Sequence, residues 1–225
     1  LKKILSFPIR SETTSESEYK NLEPWIQWYS FYTGLSYKKH NVFHLGDCLK
    51  HNHQTMFDKK FKNKKIGIFG SMNLSPNKKF KIYIPDPWTE VQSDKSFSSK
   101  MVSGAIKKIV NSNVRLKISI YQVIGLLYLI GIPKSYSDIR NLISGSRAFL
   151  RKSRNEIASY FDLYFTKFCL KSIRKNNLYI SLIFLNGFAH IQHHYLLDSE
   201  FHDGKNPGWY SNRSIDRIHR SLVIY

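Results

Sequence analysis

The chain is short of cysteine, of acidic residues and of long apolar runs, and each shortage removes a class of protein. Its two cysteines, Cys48 and Cys169, lie far apart in unlike contexts, which argues against a zinc knuckle or a disulfide framework and mildly favours a reducing compartment such as the cytoplasm. Asp and Glu number 16 against 35 Lys and Arg, giving a formal net charge of +19 and a pI near 9.9. That imbalance favours anionic partners: phosphate or sulfate esters, nucleic acid or anionic lipid. The lysines are scattered in pairs (Lys38-Lys39, Lys59-Lys60, Lys64-Lys65, Lys78-Lys79, Lys107-Lys108), so a lysine-rich composition accounts for the charge as readily as a binding face does. No helix-turn-helix, ribonucleoprotein or zinc-finger phrase supports a nucleic-acid binder. The most apolar stretch, Ile118 to Ile132, falls short of the roughly 20 residues of a membrane span and reads as a buried helix. No leader with a basic start and an apolar core follows Leu1, and no internal repeat is visible.

What is present suits a folded domain. The 225 residues are 42% hydrophobic and 15% aromatic, enough for one large domain or a core with an inserted subdomain. After a Ser/Thr/Glu-rich opening, Trp25, Trp28, Phe31 and Tyr32 fit one face of a helix ended near Gly34, and NVFHLGD reads as a short extended piece. Met56 to Lys65 reads as a polar helix. Apolar, β-prone runs at 66–70, 80–84 and 178–185 read as strands, the second stopped by Pro85 and Pro87. From Ser99 to Asn177 the pattern is mostly helical, with Tyr160, Phe161, Tyr164, Phe165 and Phe168 as a stripe for core packing or a lid. A last helix is expected over Ser214 to Tyr225. Strands alternating with helices predict an α/β sheet with a helical insertion of roughly Ser93 to Lys175. The expected division is 1–92 and 178–225 as the α/β core and 93–177 as the insertion or cap.

The stretch Leu178 to Ser199, LYISLIFLNGFAHIQHHYLLDS, organises this pattern. A buried strand handing over through Asn186-Gly187 to a loop is where ligands bind at the edge of an α/β sheet. His190, His193 and His194 follow at once. If they are helical, His190 and His194 share a face at a separation that lets two imidazoles reach one ion. Hydrogen-bonded histidines with no ion are the equal alternative.

The phrase TGLSYKKHN resembles the alkaline phosphatase/sulfatase superfamily, and more closely its type I phosphodiesterase/nucleotide pyrophosphatase branch. Ser30, Thr33, Gly34 and His40 keep that group's Ser-x-x-Thr-Gly and following His spacing, with Asn41 where the family has Gly. KKIGIFGSM followed by FKIYIPDPW is similar to the branch's strand and Pro-rich segment, and AHIQHHY to its Asp-x-x-x-His metal motif, with His193 at the His and Ala189 at the Asp.

The resemblance implies an alkaline-phosphatase-like mixed or mostly parallel sheet flanked by helices, carrying two divalent ions, zinc or manganese. These ions activate a Ser or Thr nucleophile toward an anionic small-molecule or glycan ester. Pro24 stands where the family has that nucleophile. The resemblance makes His190, His193 and His194 the metal ligands and Glu23, Ser30 and Thr33 the catalytic candidates. His40, His44, Asp47 and Asp86 would line the substrate pocket. The absent later motifs make the chain an expected part of such a domain, truncated or degenerate. Alternatives are a non-catalytic relative binding an anionic glycan or nucleotide, and a basic nucleic-acid binder.

Overall fold

A computed structural model of the chain describes Glu18, residues 23–111, 120–151 and 154–187, Ala189 and Ile191. The described residues form two compact units. One comprises those up to Lys62 together with Met72–Ser75; the other comprises Asn63–Ser71 and those from Pro76 onward.

The first unit is built on α1 (Pro24–Thr33), which starts with proline at its first helical position, where the missing N–H costs nothing. It ends at Gly34, whose φ of 71° is the left-handed conformation that closes a helix, its N–H returning to Ser30 O. Ile26, Tyr29, Tyr32 and Thr33 are its buried face. Two short helices follow, α2 (Tyr37–His40) and α3 (Met56–Lys59), with a 3-10 turn at Asp47–Lys50 between them. The stretch read as extended, NVFHLGD, is instead a turn: the Asp47 carboxylate accepts the His44 N–H at 2.7 Å and folds the chain back. The helix expected over Met56 to Lys65 lasts one turn. Thr55 and Asp58 cap its start reciprocally, and the helix already closes at Lys60, whose N–H returns to Met56 O.

The second unit holds a three-stranded parallel sheet in the order β2-β1-β3, with β1 Ile66–Ser71, β2 Phe80–Pro85 and β3 Ile180–Ile183. The central strand β1 is buried at every position, the mark of a parallel strand covered on both faces. Gly67, its second residue, is tightly packed: a Cβ there would lie 2.5 Å from Leu178 Cδ1 and 2.8 Å from Phe69 Cε2, so those side chains would have to shift. Between β2 and β3 run α4 (Phe97–Asn111), α5 (Ile120–Ile130), α6 (Tyr136–Leu150) and α7 (Arg154–Asn176). Helix α4 packs on β2 and on α5, and α7 carries both α5 and α6 and touches β3.

The core joins Phe69, Ile82 and Ile84 of the sheet to Val102 and Ile106 of α4, Leu129 of α5, and Tyr164, Phe165, Phe168 and Cys169 of α7. The aromatic stripe of α7 is therefore core packing. Burying one such aliphatic or aromatic side chain contributes about 1.5–3 kcal/mol. The exposed edge of β2 is covered by its own continuation, since Asp94 returns to Tyr83 through its N–H and its carboxylate, both at 2.8 Å. Among the described residues no helix is long and apolar enough to cross a membrane. The α/β class and the parallel sheet flanked by helices follow the expectation.

Candidate functional site

All three strands point the same way, so their C-terminal ends form one edge. Such an edge is where parallel sheets place ligands, because the strand-to-helix loops gather there. At the end of β1, Gly70 adopts φ 76° and passes close to Phe184 O, and Ser71 follows, buried, with no hydrogen-bond partner for its hydroxyl among the described residues. A buried hydroxyl without a partner costs about 1–3 kcal/mol. At the end of β2, Asp86 turns inward.

The Asp86 carboxylate accepts the N–H groups of Trp88 and Thr89, each at 3.0 Å, and the Thr89 hydroxyl at 3.1 Å. Burial pushes this carboxyl above its ordinary range, and those three donors pull partly against it. Buried and bonded to its own turn, it is a turn-forming carboxylate rather than the lining of an open pocket.

At the end of β3, Phe184 N–H bonds Phe69 O at 2.9 Å, and the chain passes through Asn186 to Gly187. Gly187 N–H donates to Asp162 Oδ2 at 2.8 Å. Asp162 sits on α7 with only 3% of its surface exposed, one helical turn from the fully buried Ser159. Asp162 thus meets the chain at Gly187, just ahead of the histidine segment. Gly187, Ala189 and Ile191 have helical backbone. His190, His193 and His194 lie outside the described residues.

The remaining candidates belong to the first unit. Glu23 is exposed and precedes α1 without a side-chain capping bond. Pro24 occupies the first position of that helix. Ser30 and Thr33 both bond back into α1, to Ile26 O at 3.3 Å and to Tyr29 O at 2.8 Å.

His40 is fully buried, and its contacts fix its tautomer. Val42 N–H donates to Nδ1 at 3.0 Å, so the proton is on Nε2, 2.9 Å from Ser30 Oγ. The imidazole therefore donates to the serine and the serine donates to a carbonyl. A base would have to accept from that hydroxyl, so the pair is packed together with the wrong polarity for a nucleophile.

His44 is exposed beside Phe43. Lys50 Nζ sits 2.8 Å from Asp47 and holds that carboxyl below its ordinary range, helped by the His44 N–H. The structure thus brings together Ser30 with His40, and His44 with Asp47.

Two further features of this unit carry no obvious local signal. Asn73, at φ 48°, donates to Trp25 O and His44 O and accepts Gly46 N–H, tying its own segment to the start of α1 and to the turn at 44–46. Tyr29 OH lies 3.2 Å from His53 Nδ1, with the His51 ring stacked on His53, and burial raises the phenol's pKa. Within the described residues no three His, Cys, Asp or Glu side chains assemble as a metal site. Comparison with family models, with curated proteins and with solved structures finds no match to this chain.

Proposed function

We propose that the chain carries a metal-dependent hydrolase domain for phosphate or sulfate esters, of the alkaline phosphatase/sulfatase kind and nearest its type I phosphodiesterase branch. The observation that supports this reading best is the exit of β3. There a buried carboxylate, Asp162, clamps the backbone of Gly187 just before a segment with three imidazoles. Neutral imidazole suits zinc or manganese, so the donor types fit a divalent ion, with His190, His193 and His194 as its holders. Bound there, such ions would lower a nucleophile's pKa and neutralise charge on the ester.

Asp162 is a positioning residue in this reading, acting through the Gly187 N–H on where the imidazoles start. Ser30 and Thr33 are helix-packing hydroxyls, because both are already spent on carbonyls of α1. The finer expectation, an alkaline-phosphatase-like sheet with a helical insertion, rests on the motif resemblance together with the parallel strands.

The test is turnover of bis(p-nitrophenyl) phosphate and p-nitrophenyl sulfate with added zinc or manganese. Metal-dependent turnover that His193→Ala abolishes and Ser30→Ala leaves intact is the expected result. A specific observation favours a second reading: Pro24 replaces the expected hydroxyl, and Ser30 and His40 have the wrong polarity to substitute for it. The chain would then be a non-catalytic relative that binds an anionic glycan or nucleotide. Salt-sensitive binding of heparin or a nucleotide without turnover would select it. Neither turnover nor binding would overturn both.

A further inference from the structure

Helix α6 packs inside out. Its inward face is small: Ala148 is buried, and Gly145 lies so near Tyr160 of α7 that an added Cβ would stand 3.4 Å from the ring. Its large apolar residues other than Leu142, which is partly buried, point the other way. Tyr136, Ile139, Ile143 and Leu150 follow one another at helical spacing along one stripe, and are exposed by 81%, 49%, 47% and 79%. Ile132, just before the helix, is 86% exposed and adds to the apolar surface of the same segment.

An exposed row of this size, on a helix that could have turned it inward, marks a surface that meets a partner. The charges beside it define that partner. Arg140 and Arg147 fall along one edge of the stripe at helical spacing, and Lys134 and Arg151 are exposed at the two ends. The helix has one acidic residue, Asp138. It is held by an ion pair to Lys167 of α7 and by the Lys134 N–H, and these bonds keep its carboxyl well below the ordinary range. The edge of the stripe is therefore uniformly cationic.

We propose that α6 is a membrane-surface helix that lies in the interface of an anionic lipid bilayer. Tyr136, Ile139, Ile143 and Leu150 enter the acyl boundary, and Arg140 and Arg147 sit at the headgroup phosphates. A helix with an apolar stripe, arginines at its rim and no length to span has the chemistry of one that lies on a bilayer. A nucleic acid would use the arginines and leave the isoleucines in water. This inference is independent of any hydrolytic activity, since α6 carries none of the residues assigned to it.

Flotation of the full chain with vesicles tests it, using phosphatidylcholine alone and phosphatidylcholine with phosphatidylglycerol. The chain should float with the anionic vesicles and only weakly with the neutral ones. Ile139→Asp with Ile143→Asp should cut partitioning about tenfold or more, and each of Arg140→Gln and Arg147→Gln roughly fivefold. Because these side chains are exposed, circular dichroism should be unchanged. Three results would overturn the proposal: equal binding by the Ile139/Ile143 variant, no binding to either vesicle, or a concentration-dependent dimer that the same variant dissolves.

Discussion

Single residues in this chain are decided by which way a hydrogen bond runs. Ser30 and His40 have the right types and the right proximity for a nucleophile and its base. Yet the Val42 N–H at Nδ1 forces the imidazole to donate, and the serine's own proton goes to Ile26 O. Nothing in the spacing Ser30 to His40 encodes that direction; it is set by the turn after α2, where Asn41 takes a left-handed φ of 54° and brings the Val42 N–H onto the ring.

Asp86 shows the same limit. Its place between two prolines is legible, but its inward turn depends on the Trp88 and Thr89 donors. Because burial raises its folded pKa above the unfolded value of about 3.9, its stabilising share is complete below that value and is lost as pH rises through the folded pKa. Asp86→Asn keeps the acceptor for both N–H groups and removes the buried charge. In urea titrations across pH, the variant should gain on the wild type as pH rises above about 4, and the two should converge in acid. A gap that does not change with pH would contradict this account of Asp86.

At the scale of elements, local pattern carried most of the information. The aromatic helix ended at Gly34, and the strands at 66–71 and 80–85 were legible because periodicity, glycine and proline are local signals. The turn at His44–Asp47 and the one-turn α3 were not. The first hangs on a single carboxylate, and the second closes after one turn although the polar pattern runs on to Lys65.

Helix contacts are likewise invisible in one sequence, and glycines reveal them. Gly125 of α5 lies against α4, where a Cβ would run into Met101 O and stand 2.6 Å from Ala105 Cβ, whereas Gly104 on α4 has open space. Thermal unfolding should therefore separate two changes of similar chemistry. Gly125→Val should destabilise by about 1–3 kcal/mol or more through overpacking. Gly104→Ala should stabilise by about 0.4–1 kcal/mol by restricting the unfolded chain. Equal effects would mean that α4 and α5 do not cross at Gly125.

At the scale of the whole molecule, the coarse class was written in the alternation of strands and helices, but the order β2-β1-β3 and the division into two units were not. Strand order depends on which distant segments pair, and Ile66–Ser71 meets Ile180–Ile183 across more than half the chain. Met72–Ser75 belongs to the N-terminal unit although the strand just before it belongs to the other, a split that composition does not mark. Asn73 and Asp162, the residues that hold separate segments together in each unit, look like ordinary polar positions until their partners are known.

The net charge of +19 fits both an anionic ester and an anionic surface, so it separates neither from the other. The chemistry proposed for the β3 exit rests on imidazoles reaching a divalent ion. Calorimetric titration of the chain with zinc or manganese measures that step directly. The account predicts saturable binding with proton release as pH is lowered, abolished by combined His190→Ala, His193→Ala and His194→Ala substitution and weakened about 10-fold or more by Asp162→Ala. Undiminished binding by the triple variant, or none by the wild type, would contradict it.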